Sequence, residues 1–66
     1  MNDWILFENE LPKNEETIIF TDVDNAVNVG LYEYDEEYSP NMVFDFRVGD
    51  YSYGKAWMHL PSPYSV

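Results

Sequence analysis

The stretch TIIFTDVDNAVNVGLYEY, residues 17–34, decides how this chain folds. Two runs rich in Ile, Val, Phe and Tyr, Thr17 to Val23 and Ala26 to Tyr34, are separated by Asp24-Asn25, residues that tolerate positive φ. The pattern predicts a β-hairpin with a two-residue turn. Such a turn sets Val23 opposite Ala26, Phe20 opposite Val29 and Ile18 opposite Leu31. Those last four side chains then share one face, which is expected to be the core. Thr17, Ile19, Thr21, Asn28, Gly30 and Tyr32 fall on the other face, a thinner and more polar set expected to be partly covered at most.

Outward from the hairpin, Trp4-Ile5-Leu6-Phe7 suits a brief strand or an anchor laid on the sheet, with Trp4 in the core. Glu8 to Glu16 is polar, and Pro12 biases Leu11 towards extended backbone, so this segment is a connection, with Leu11 plugging an edge of the core. Asp35 to Asn41 opens acidic and ends in turn formers, which predicts a surface loop. Met42 to Val48 alternates, with Phe44, Phe46 and Val48 on one face and Val43, Asp45 and Arg47 on the other, as a half-buried strand does. Gly49 and Gly54 bracket Tyr51-Ser52-Tyr53, an expected turn or wide hairpin tip whose glycines supply unusual backbone angles. Ala56 to Leu60 is the last strand, stopped by Pro61-Ser62-Pro63. No stretch carries helical periodicity over three turns. The expected fold is mainly β, a single small antiparallel sheet of four to five strands curled around an aromatic core.

Sixty-six residues allow one domain, 1–66, near the lower limit for a core that holds unaided. The absence of cysteine removes disulfides and thiolate metal sites. An apolar content of 45% with 18% aromatics is too rich for a disordered chain. Lys13, Arg47 and Lys55 against thirteen acids leave a formal charge of −10. Such a surface repels nucleic acid and anionic membrane and is drawn to basic surfaces. No apolar run reaches membrane-spanning length, and the opening residues lack the basic region and apolar core of a signal peptide, so a cytoplasmic protein is expected.

Asp22-x-Asp24 with Glu33 at the twelfth position has the outline of a calcium loop, but Ala26 and Val27 stand where that loop needs an oxygen ligand and a glycine. The run Asp35-Glu36-Glu37 has no supporting cage and suits a solvated loop. No metal and no cofactor is assigned. The one histidine, His59, lies on an aromatic strand, where a half-buried structural role is expected, and the serines at 39, 52, 62 and 65 sit in turn-like contexts. Without an oriented base or a phosphate-binding loop, the chain does not read as an enzyme. Surface recognition remains. Glu33, Asp35 and Glu37, two apart and so on one face if extended, project a row of like charges that Asp22, Asp24, Asp45 and Asp50, with Glu15 and Glu16, could extend. Tyr34, Tyr38, Tyr51 and Tyr53 lie among these acids. Tyrosines bring contact area at low entropic cost, which suits a protein interface.

The ends of the chain carry a resemblance. Trp4-Ile5 with Leu11-Pro12, then Val29-Gly30-x-Tyr32, then Trp57-Met58-x-Leu60-Pro61-x-Pro63 is similar to a family of small phage and prophage proteins of unknown function. That family opens with Trp-Ile and Leu-Pro and closes with a His-Trp-Met motif followed by prolines. Here Ala56 stands in place of the family's histidine, His59 stands in place of a proline, and Glu36 to Lys55 is longer than usual. The resemblance implies a phage or mobile-element origin and no defined chemistry. Joined to the charge, it leads to an expected function: an inhibitor of a host nucleic-acid-binding defence complex, such as a CRISPR effector or restriction enzyme, acting by charge mimicry. The expected partner-binding residues are Asp22, Asp24, Glu33, Tyr34, Asp35, Glu36, Glu37, Tyr38, Asp45 and Asp50. The expected partner is a basic protein surface, with neither direct nucleic-acid binding nor a membrane, and the chain itself a monomer or weak homodimer, since sheet edges invite pairing. The alternative is an accessory structural or regulatory domain whose acidity serves solubility alone.

Overall fold

The computed structural model describes residues 3–61, and these form strands joined by turns and loops. The strands are β1 (Ile5–Leu6), β2 (Glu16–Asp22), β3 (Val27–Tyr32), β4 (Met42–Asp45) and β5 (Asp50–His59). All pairings are antiparallel and run β1-β5-β2-β3-β4, with β4 returning to β5. β2, β3, β4 and β5 thus close into a ring, and β1 is an extra strand on β5. Among the described residues, no helix is long and apolar enough to cross a membrane. Pro63, Ser62 and Ser65 lie outside the described residues.

The closure depends on β5. Its first residues, Asp50 to Tyr53, pair with β4, and its second half pairs with β2 on one edge and β1 on the other. The β2–β5 ladder shifts by one residue, since Thr21 faces Ala56 whereas Asp22 faces Gly54. Lys55 is the extra residue of this bulge, and bulges bend a strand and increase its twist. At Gly54 an added Cβ would lie 2.5 Å from the Phe7 ring, so the missing side chain makes room for Phe7 beneath the bend. Backbone angle is therefore not what Gly54 provides. Gly49 does provide it, at φ 71°, in the four-residue loop Phe46 to Gly49 that joins β4 to β5. The expected turn at Tyr51 to Tyr53 is strand instead, because this earlier loop closes the hairpin.

The central hairpin forms, but in a different register from the expected one. Phe20 faces Asn28, Ile18 faces Gly30 and Glu16 faces Tyr32. The connection has three residues, Val23, Asp24 and Asn25, with Asn25 at φ 67° and a closing bond from Asn25 N to Asp22 O of 3.0 Å. A turn followed by a left-handed residue is the standard geometry of three-residue hairpin loops. Asp22 dictates this choice: its Oδ1 accepts from the amides of Asp24 (2.9 Å) and Ala26 (3.0 Å). A one-residue slip inverts a strand, so Asn28, Gly30 and Tyr32 face inward while Val27, Val29 and Leu31 face outward. β4 departs from expectation in the same way. It ends at Asp45 and buries Val43 and Asp45, leaving Phe46 and Val48 exposed.

The core contains Phe7, Ile18, Phe20, Tyr32, Val43 and Trp57, with Ile5 packed against it. It is aromatic, as anticipated, and its polar edges are bonded. Trp57 Nε1 donates to Glu10 O (2.9 Å), and the Tyr32 hydroxyl donates to Pro40 O (2.7 Å). These bonds tie two connecting segments to the ring. In the first of them Pro12 is buried and Leu11 is largely exposed, the reverse of the expected plug. β1 sets Ile5 opposite Trp57, so the opening and closing motifs of the chain meet.

Candidate functional site

The base of the β2–β3 hairpin is built by a tight turn. Glu16 N donates to Lys13 O (3.1 Å), and Glu15, the third residue of that turn, takes φ 66°. Left-handed backbone is costly for glutamate, and the cost is met by neighbouring bonds: Glu15 N donates to Tyr32 O (2.7 Å) and Asn14 Oδ1 accepts from Tyr34 N (2.8 Å). The turn is thereby clamped to the end of β3. On the other side Asp35 caps a reversal, its Oδ1 accepting from Glu37 N (2.9 Å) and its carbonyl from Tyr38 N (2.9 Å). The reversal returns Tyr38 towards the sheet.

Between these two turns lies a cleft of about 420 Å³. Glu15, Glu33 and Asp35 supply carboxylates to it, Tyr34, Tyr38 and Tyr51 supply aromatic walls, and Asn14 and Met42 complete it. The Tyr51 hydroxyl is 3.4 Å from Glu33 Oε1. Glu33 raises the pKa of that phenol above its ordinary value, because a tyrosinate beside a carboxylate is repelled. Burial likewise pushes the Tyr32 phenol up.

Among the described residues no cationic group pairs with the cleft carboxylates. Among the described residues the one ion pair joins His59 Nδ1 to Glu16 Oε2 at 2.6 Å, while Lys55 Nζ donates to Asn25 Oδ1 (2.7 Å). His59 is exposed rather than half-buried, held between Glu16 and the edge of the Trp57 ring, 5.0 Å between centroids. Carboxylates left without internal cations keep their full field for an external one.

The ten expected partner-binding residues divide accordingly. Glu33, Tyr34, Asp35 and Tyr38 line the cleft; Glu36 and Glu37 are exposed on the same loop; and Asp50 adjoins it, its Oδ1 accepting from Tyr51 N (2.7 Å). Asp22 and Asp24 lie at the far end of β2, roughly 20 Å away at about 3.3 Å per residue, with Asp22 occupied in the loop. Asp45 does not belong with them: it is 1% exposed, and its carboxylate caps Arg47 N at 2.8 Å. Asn14 and Met42 escaped sequence reasoning because nothing in their spacing places them beside Glu33. Glu15 could have been assigned to the site, since any register of this hairpin sets its base beside residue 33.

The chain is thus a small closed antiparallel β domain bearing an acidic, tyrosine-walled cleft. In comparison with known proteins, no family model matches it, and neither does any curated protein or solved structure.

Proposed function

We propose that this chain is a small acidic interaction protein that occupies a basic, nucleic-acid-binding surface of a host defence complex and so excludes the nucleic acid. The observation that carries the reading is the cleft, where Glu15, Glu33 and Asp35 stand among three tyrosines with no lysine or arginine of their own chain. Carboxylates can occupy positions where a basic groove binds phosphates, and tyrosines add contact area beside them. The resemblance of both chain ends to small phage proteins supports the host-defence setting and a place of action in the host cytoplasm. The reading is of a non-catalytic role, with His59 engaged by Glu16 and not among the residues lining the cleft.

Immobilised protein exposed to bacterial lysate tests the reading, with salt elution and competition by added DNA or RNA. A partner released at moderate salt, displaced by nucleic acid and not retained by the E33Q/D35N/E36Q/E37Q variant is the expected result. Retention by that variant would overturn charge mimicry. A second reading, an accessory domain whose acids serve solubility, is favoured by Glu8, Glu10, Asp22 and Asp24, which lie outside the cleft. It expects no partner displaceable by nucleic acid.

A further inference from the structure

Part of the outward surface of the ring is apolar, and it borders the acidic cleft. Ile19 is flanked by Val29 on one side and Met58 on the other, and Phe46 N donates to Val29 O (3.2 Å). Met58, Ile19, Val29 and Phe46 therefore make one row across four adjacent segments. Leu31, Phe44 and Tyr51 make the next row, with the Phe44 ring edge-on to both Phe46 (6.0 Å) and Tyr51 (5.3 Å). Val27, Val29 and Phe46 are 61, 42 and 52% exposed around a shallow hollow with Arg47 on its margin. Along β3 the outward residue after Leu31 is Glu33, and along β4 the outward neighbour of Phe44 is Met42, both in the cleft.

We propose that this face and the cleft are one composite docking surface. Its occupant is a partner-protein segment carrying apolar side chains beside lysine or arginine. The apolar rows supply a desolvated centre, and Glu33 with Asp35 supplies the complement to the cation. Charge complementarity selects this occupant, since a second copy would bring another −10 of like charge against the cleft acids. An exposed apolar face bordered by polar groups has the anatomy of an interface. The inference rests on the proposed function for the basic character of the partner and adds a component that salt does not screen.

The test uses two synthetic peptides of equal charge, one of leucine and lysine with its leucines on one helical face and one of glycine and lysine. Each is titrated into isotope-labelled full-length protein at low and high salt while the backbone amides are followed. The expected result is about tenfold tighter binding of the leucine-lysine peptide, with shifts at Val29, Leu31 and Phe46 that weaken less as salt rises than those caused by the glycine-lysine peptide. That preference should collapse towards one in Val29→Thr and, separately, in Phe46→Ser. Equal binding of the two peptides, lost together at high salt, would overturn the composite surface while leaving the acidic cleft standing. A preference unchanged in both variants would overturn it too, as would concentration-dependent dimerisation moving the same amides, which would make a second copy the occupant.

Discussion

The two faces of β3 contrast in the opposite sense to their hydropathy. Inward, the strand presents Asn28, Gly30 and Tyr32; outward it presents Val27, Val29 and Leu31. The difference shows what limits a four-stranded ring. Its interior is narrow and is already filled by Phe20 from β2, Val43 from β4 and Trp57 from β5. Small closed sheets mix large and small inward residues to fit the space, and β3 sets the small Asn28 and Gly30 beside the large Tyr32. At Gly30 an added Cβ would lie 2.4 Å from Phe44 O, 2.8 Å from a Val43 methyl and 3.0 Å from the Phe20 ring. The apolar residues of β3 are consequently available on the outside, where the proposed docking surface uses them.

The sharpest way to break this contrast is Gly30→Val beside Val29→Thr. The first collides with the backbone of a paired strand and should cost about 3 kcal/mol or more. A domain of this size has roughly 3–10 kcal/mol in total, so circular dichroism should show the denaturation midpoint shifted far down, or the chain unfolded where the total lies at the low end. Val29→Thr, one residue away, should change denaturant stability by less than about 0.5 kcal/mol. Equal losses would show that β3 is not inverted.

A smaller effect comes from the inward hydroxyl of the same strand. Tyr32→Phe keeps the ring but leaves Pro40 O without its donor, a loss of about 1–2 kcal/mol in chemical denaturation. The change also alters the response to alkali. Burial raises the folded pKa of Tyr32 above its ordinary 10.0, so the stability from the neutral phenol is fully present below pH 10 and is lost as pH rises through the raised value. Stability measured across that alkaline range should fall less steeply in Tyr32→Phe.

At the rim of the cleft, Glu15→Gly relieves a left-handed glutamate and should raise stability by up to about 1 kcal/mol. Asn25→Gly should do less, because asparagine tolerates the same angle. Paired thermal melts would rank the two, and an equal or greater gain from Asn25→Gly would argue against strain at Glu15. The smallest effect belongs to the outer face. Glu33→Gln should bring the Tyr51 phenol down towards its ordinary pKa, read by ultraviolet titration against the other tyrosines.

Much of this architecture is legible from local chemistry. Antiparallel strands, the hairpin at residues 17–34, the aromatic core and the surface loop from Asp35 to Asn41 follow from alternation, turn formers and Pro12. Within the site, Glu33, Tyr34, Asp35 and Tyr38 are close enough in sequence to be grouped by inspection. The hairpin register is not legible in the same way. Asp24-Asn25 suits a two-residue turn, and the choice of three residues depends on which backbone amides donate to the Asp22 carboxylate. The burial of Asp45 is illegible for a related reason. An acid on an alternating strand reads as solvent-facing until the Arg47 amide and the closed ring put it inside.

By itself, then, the sequence determined a small, cysteine-free β domain with a charge of −10, aromatic residues enough for a core, and acids interleaved with tyrosines. Alternation and composition are local or additive properties, and no neighbour is needed to read them. Only the tertiary structure decided which face of each strand is the interior, because the limited space inside a four-stranded ring is shared among strands distant in sequence. It also decided the cleft, whose walls come from the turn at Glu15, the loop from Glu33 to Tyr38 and Tyr51 on β5, and which exists only when β3 is hydrogen-bonded between β2 and β4.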